Sequence, residues 1–227
     1  MKSALKFLFI RAFKGHPLRW ALTTALTVVM LAAEFVWIVP KGEEDFLLSK
    51  MMFVMVMGLI PSIIMLFIGT EIAGSRFTRA IPCAKTLYTR AVPVFSGILC
   101  YGSAVVFILL YAAGVMIMGE SAVQITEMLS LMAGMLPLYT MIGGILVMFR
   151  WGVLAMIYLP CLLSISTVFI PAAGGLLLNG FGLPMWAAAL IFVVGAAVSV
   201  GISCIVSGVI YKRLSFKAQA ETSIAAN

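Results

Sequence analysis

Pro184-Met-Trp-Ala-Ala-Ala-Leu-Ile-Phe-Val-Val-Gly-Ala-Ala-Val-Ser-Val-Gly-Ile-Ser-Cys-Ile-Val-Ser-Gly-Val-Ile-Tyr211 runs without one charged residue and is followed at once by Lys212 and Arg213. The hydrocarbon core of a bilayer is about 30 Å thick and takes roughly 20 apolar residues of helix to cross. This stretch is long enough. It is the last of six such runs, the others being approximately Trp20–Val39, Leu47–Ile68, Ala91–Met118, Met128–Phe149 and Gly152–Ala172. Of the 227 residues 63% are hydrophobic and 10% charged, and the mean hydropathy is +1.18. A water-soluble chain of that balance would expose large apolar patches and aggregate. The sequence therefore predicts an all-α, polytopic integral membrane protein with six transmembrane helices in a single membrane domain, residues 20–211. The longest segments outside it, residues 1–19, 69–90 and 212–227, are each too short to bury a core of their own.

Charge sets the expected orientation. All but two of the 15 Lys and Arg, Lys41 and Lys50, fall on one side of these runs. That side holds Lys2, Lys6, Arg11, Lys14, Arg19, Arg76, Arg79, Lys85, Arg90, Arg150, Lys212, Arg213 and Lys217. The other carries Glu43, Glu44, Asp45, Glu120 and, at its edge, Glu127. Cytoplasmic loops are the Lys/Arg-rich ones, so both termini are expected in the cytoplasm and the protein in a cell membrane of bacterial type. The net charge of +7 then reports topology and contact with anionic lipid rather than nucleic-acid binding. A cleaved leader is not expected, because the first apolar run continues through Phe35-Val-Trp-Ile-Val39, beyond the usual signal core.

Outside the spans, Lys2 to Lys14 mixes Leu5, Phe7, Leu8, Phe9, Ile10 and Phe13 with four cations, the composition of an interfacial helix. The chain is expected to turn inward at Gly15-His16-Pro17, where the sole histidine lies. Pro61, Pro137 and Pro160 each remove a backbone hydrogen bond inside a span. Gly195, Ser199, Ser203 and Ser207 repeat at i, i+4 on the sixth span, a helix-packing seam within the subunit or against a second copy. Residues 170–184 are apolar, uncharged and rich in Gly and Pro, and read as a segment dipping back into the outer leaflet.

Parts for catalysis are missing. No phosphate-cradling Gly-rich loop, no His-Glu-x-x-His and no Gly-x-Ser-x-Gly elbow occurs, and one histidine cannot build a His-based metal site. Cys83, Cys100, Cys161 and Cys204 are scattered and read as small apolar residues. Met51/Met55 and Met128/Met132 have a spacing suited to thioether copper ligation, but the 16 Met otherwise show no pattern and read as packing. Glu34 is the one acid well inside a span, and so a candidate intramembrane polar site or a residue reaching the interface.

The segment Glu71 to Arg90 is the most informative polar element. At about 100° per residue, Phe77, Ala80, Ile81, Ala84, Leu87 and Tyr88 share one arc, opposite Thr78, Arg79, Lys85, Thr86 and Thr89. It reads as an amphipathic helix, split near Pro82, lying either on lipid or in a groove of a cytoplasmic partner.

In size and layout the chain resembles the permease subunits of type-2 ATP-binding cassette (ABC) exporters. The resemblance rests on the interfacial helix, the six spans and the amphipathic segment after the second. It rests also on Glu71, Gly74-Ser75 and Ile81-Pro82 at comparable spacing, without the family's second acidic residue or its leucines before the proline. It implies half of a pore without a motor: no cofactor in this chain, ATP-Mg in a partner ATPase, and a second permease copy. Glu71, Arg76, Phe77, Arg79, Ile81, Pro82 and Lys85 would then couple to the ATPase. Two rivals stand beside it. One is a substrate-capturing subunit of an energy-coupling-factor importer, with Ala21 and Ala25 on the first span as docking residues. The other is a membrane-embedded enzyme acting on lipids.

Overall fold

The computed structural model describes residues 1–15, 83–118, 122–146 and 181–224, with Ala21, Ala25 and Val29. Among these every regular element is a helix, and no strand occurs. Helix α1 is Lys2–Gly15, α2 the single turn Ala84–Thr86, α3 Val92–Met118, α4 Ala122–Leu146 and α5 Met185–Ile224. A π-helical turn, Leu87–Ala91, joins α2 to α3. Three of these stretches, Ala84–Ile117, Val123–Ile145 and Met185–Lys212, are long and apolar enough to cross a bilayer.

The π turn has a local cause. Pro93 has no N–H to give to the carbonyl of Thr89, and its ring would collide with that carbonyl in a regular α-helix. Widening the preceding turn relieves both problems. The wider turn also shifts the phase of the expected amphipathic arc. Ala84, Leu87 and Tyr88 are buried and Lys85 exposed, as that arc requires, but Thr89 is buried too. Its hydroxyl donates to the Lys85 carbonyl at 2.7 Å.

Before α5, Gly182 adopts φ +54°, a left-handed turn that favours glycine. Leu183 and Pro184 follow outside any helix, and the Pro184 carbonyl accepts from the N–H groups of Ala187 (2.9 Å) and Ala188 (3.2 Å). The helix then continues without interruption for 40 residues.

Helix directions follow from the close approaches. Side chains added at Gly195, Gly97 and Gly144 would meet, in turn, Tyr101 and Pro137, then Thr140 and Val200, then Pro93 and Ser203. Numbering falls along α3 while it rises along both α4 and α5. The last two helices are therefore parallel neighbours, and α3 is antiparallel to both.

One end of this bundle is capped by α1. Its Ala4 and Leu8 are buried with Leu87, Tyr88, Val92, Phe95 and Leu99, and Ile210 and Tyr211 of α5 pack against the same cluster. Phe9 meets Phe95 edge-on at 4.9 Å, and Tyr88 stacks on Tyr211 at 6.0 Å. The exposed cations Lys2, Lys6, Lys85, Arg90 and Lys212 belong to the elements gathered here. Toward the opposite end, the charged side chain among the described residues is Glu127. A larger apolar cluster, including Tyr101, Phe107, Tyr111, Met132, Leu136 and Phe192, fills the bundle beyond.

Candidate functional site

Helix α5 buries very little of itself. Along Met185–Lys212 the buried residues are Ala188, Phe192, Ser199, Ser203 and Ser207, which lie on one face. The serine seam thus faces α3 and α4 of the same chain. Gly195 completes it: a side chain there would begin 3.4 Å from Pro137 Cγ and 3.5 Å from the Tyr101 hydroxyl. It lies near the Ala133 carbonyl, which Pro137 deprives of its helical donor.

At the level of Pro93 to Gly97 the three helices approach one another closely. A Cβ on Gly97 would overlap Val200 Cγ2, and one on Gly144 would lie 3.3 Å from Pro93 Cα and 3.3 Å from Ser203 Cβ. Small residues let helix backbones approach this far in a lipid-like interior, where dispersion and hydrogen bonds rather than water exclusion hold helices together. Hydroxyls provide the bonds. Ser96 Oγ donates to the Thr140 carbonyl at 3.2 Å, and Ser207 Oγ to the Gly144 carbonyl at 3.5 Å, which is long. Thr140 Oγ1 and Ser203 Oγ are buried at 0% exposure with no hydrogen-bond partner. The spacing of Gly and Ser on α5 reveals the seam. Pro93, Ser96, Gly97, Thr140 and Gly144, which complete it, are not legible without knowing which helices meet.

A second candidate region is the basic end. Of the expected coupling residues only Lys85 lies among the described residues, exposed at the start of the turn below α3; Glu71, Arg76, Phe77, Arg79, Ile81 and Pro82 lie outside them, as do Glu34 and most of 170–184. The apolar side of the described part is already occupied: Ala84, Leu87 and Tyr88 are buried in the cluster that contains Ala4 and Leu8. What remains outward is Cys83, Lys85 and Arg90.

A groove of about 410 Å³ runs between α4 and α5, lined by residues including Ala133, Pro137, Met141, Val194, Val198 and Ile202. Its surface is apolar. No group of three or more His, Cys, Asp or Glu able to hold a metal ion occurs among the described residues. Comparison with protein-family models, with curated proteins and with solved structures gave no match.

Proposed function

We propose that the chain is the membrane-spanning permease subunit of an ABC-type exporter, supplying half of a translocation pathway and driven by a separate ATPase. The observation that carries this reading is the mechanical continuity of the basic end. Cys83–Ala91 presents Lys85 and Arg90 outward while Leu87 and Tyr88 are wedged between α1 and Tyr211 of α5. A push on the segment that precedes Cys83 would therefore reach α1, α3 and α5 together. Rigid-body motion of packed helices is the ordinary way such a push becomes a transition between two states.

The helix directions support six spans. The chain leaves α4 at the basic end and enters α5 at the far end, so an odd number of crossings lies between them; the apolar run Gly152–Ala172 supplies one. α1 and the start of α3 share the basic end, so an even number lies between those; Trp20–Val39 and Leu47–Ile68 supply two. Gathering of the cations at one end supports a cytoplasmic placement for it. The apolar α4–α5 groove favours an apolar or amphipathic cargo.

The test is co-purification with an ABC ATPase encoded beside the chain. Association and stimulated ATP hydrolysis are expected, with both lost in Phe77→Asp and Ile81→Asp. Retention of both in those variants overturns the reading. The energy-coupling-factor alternative has one observation in its favour: Ala21 and Ala25 are helical and exposed, available to a partner. Specific capture of a small molecule by the purified chain without any ATPase would favour it.

A further inference from the structure

We propose that the basic end of the bundle seats an anionic phospholipid, its phosphate held by Lys85 and Arg90 and an acyl chain laid along α3. The π turn makes the pair. Residues five apart in a regular α-helix stand about 140° apart around the axis. In the widened turn the Val92 N–H donates to the Leu87 carbonyl, five residues back. Each residue there steps through a smaller angle, so Arg90 is carried back toward the side of Lys85. Between Ala84 and Gly97 these two are the exposed residues, while Leu87, Tyr88, Thr89 and Ala91 are buried.

Depth and surroundings fit a lipid. Tyr88 stacks on Tyr211 at 6.0 Å, and tyrosines of membrane proteins gather at the headgroup level. Lys85 and Arg90 lie within about 5 Å of Tyr88 along the helix axis, and Lys212 follows Tyr211. Beyond Arg90 the row Val94, Ile98, Gly102 and Val106 repeats at i, i+4 and is apolar. Ile98 is 44% and Val106 58% exposed, and a side chain on Gly102 would meet nothing within 4 Å. Gly102 stands about 18 Å from Arg90 along the helix, a little more than half the hydrocarbon thickness. One row of α3 thus offers a cation at headgroup level and an open apolar track through the adjoining leaflet. A soluble polyanion or an acidic protein would use the cations and leave that track uncovered. Charge complementarity selects the headgroup: α1, residues 83–99 and residues 210–212 contain Lys and Arg and no Asp or Glu. A phosphate with no cation of its own is the matching group. The seat adjoins the segment that the exporter reading gives to the ATPase, but filling it needs no ATPase.

The test uses the full chain in detergent, with phosphatidylglycerol or phosphatidylcholine of the same acyl chains added and adducts read by native mass spectrometry. Phosphatidylglycerol should be retained at severalfold lower lipid concentration. Lys85→Gln and Arg90→Gln should each weaken that preference about fivefold, the worth of one cation near an anionic surface, and Arg90→Lys should keep most of it. Both side chains are exposed, so the thermal midpoint should stay that of the parent. Lys41→Gln, expected on the other side of the membrane, should leave the preference unchanged. Equal retention of the two lipids overturns the proposal, as does an undiminished preference in both Gln variants or an equal loss in Lys41→Gln. Inorganic phosphate and glycerophosphoglycerol, which lack acyl chains, should fail to displace the lipid. Displacement by either overturns the acyl track and leaves a site for a soluble anion. Displacement by a short single-stranded RNA would assign the surface to nucleic acid instead.

Discussion

Ser203 Cβ lies 3.3 Å from the point at which a side chain on Gly144 would begin, so α4 and α5 touch there almost backbone to backbone. Gly144→Val should force the two helices apart, with a loss of about 1–3 kcal/mol from overpacking. Gly102 faces open space, and Gly102→Ala should be neutral or stabilise by up to about 1 kcal/mol through helix propensity. Thermal unfolding of the purified variants in one detergent checks the pair. Equal effects at the two glycines would refute the close approach.

Gly97 and Val200 should behave as a coupled pair. Gly97→Ala alone places its methyl on Val200 Cγ2, whereas Val200→Ala alone opens a gap. The double variant should recover part of the loss, with an interaction energy of about 0.5–2 kcal/mol in a double-mutant cycle. Strict additivity would mean that α3 and α5 do not meet at this level.

The α1 helix can be tested by its two sides. Leu8 is fully buried, and Leu8→Ala should cost about 2–4 kcal/mol. Phe7 is 40% exposed, and Phe7→Ala should change stability by no more than about 0.5 kcal/mol in micelles. Limited trypsin digestion gives an independent readout, since Leu8→Asp should release and unwind α1 and speed cleavage after Lys6, which is already exposed but held in a packed helix.

Exposure of Cys83 permits a test of sidedness. In a variant retaining it as the sole cysteine, a membrane-impermeant thiol reagent should leave intact cells unlabelled and label inverted vesicles. The same variant with only Cys100, which is buried, should resist labelling from both sides. Reaction of Cys83 in intact cells would reverse the proposed orientation.

Hydropathy located α3 and α5 to within one residue of their expected starts, since each begins where the apolar run begins. It placed the start of α4 at Met128, six residues late. The helix starts at Ala122 and includes Gln124 and Glu127, whose polarity hides them from a measure of solvent preference. Expected arc and observed burial part company at Thr89, because a π turn breaks the regular angular step on which such arcs depend. The seam on α5 was visible because serine and glycine recur on one face. Its partners were not, because hydropathy records which residues avoid water and nothing about which helix each one meets. Continuation of α5 past Lys212 as far as Ile224 was equally hidden, since Lys212, Arg213 and Lys217 end the apolar run but not the helix.

That continuation has a mechanical consequence. A helix of 40 residues is about 60 Å long, twice the hydrocarbon thickness, and α5 has no joint at the membrane surface. With its middle gripped at Ser199, Ser203 and Ser207, it is a rod on a fulcrum. Leverage applied to the turns beyond Tyr211 must swing Trp186 at the opposite tip in the contrary direction, so events on one side of the bilayer can be felt on the other without any messenger between them.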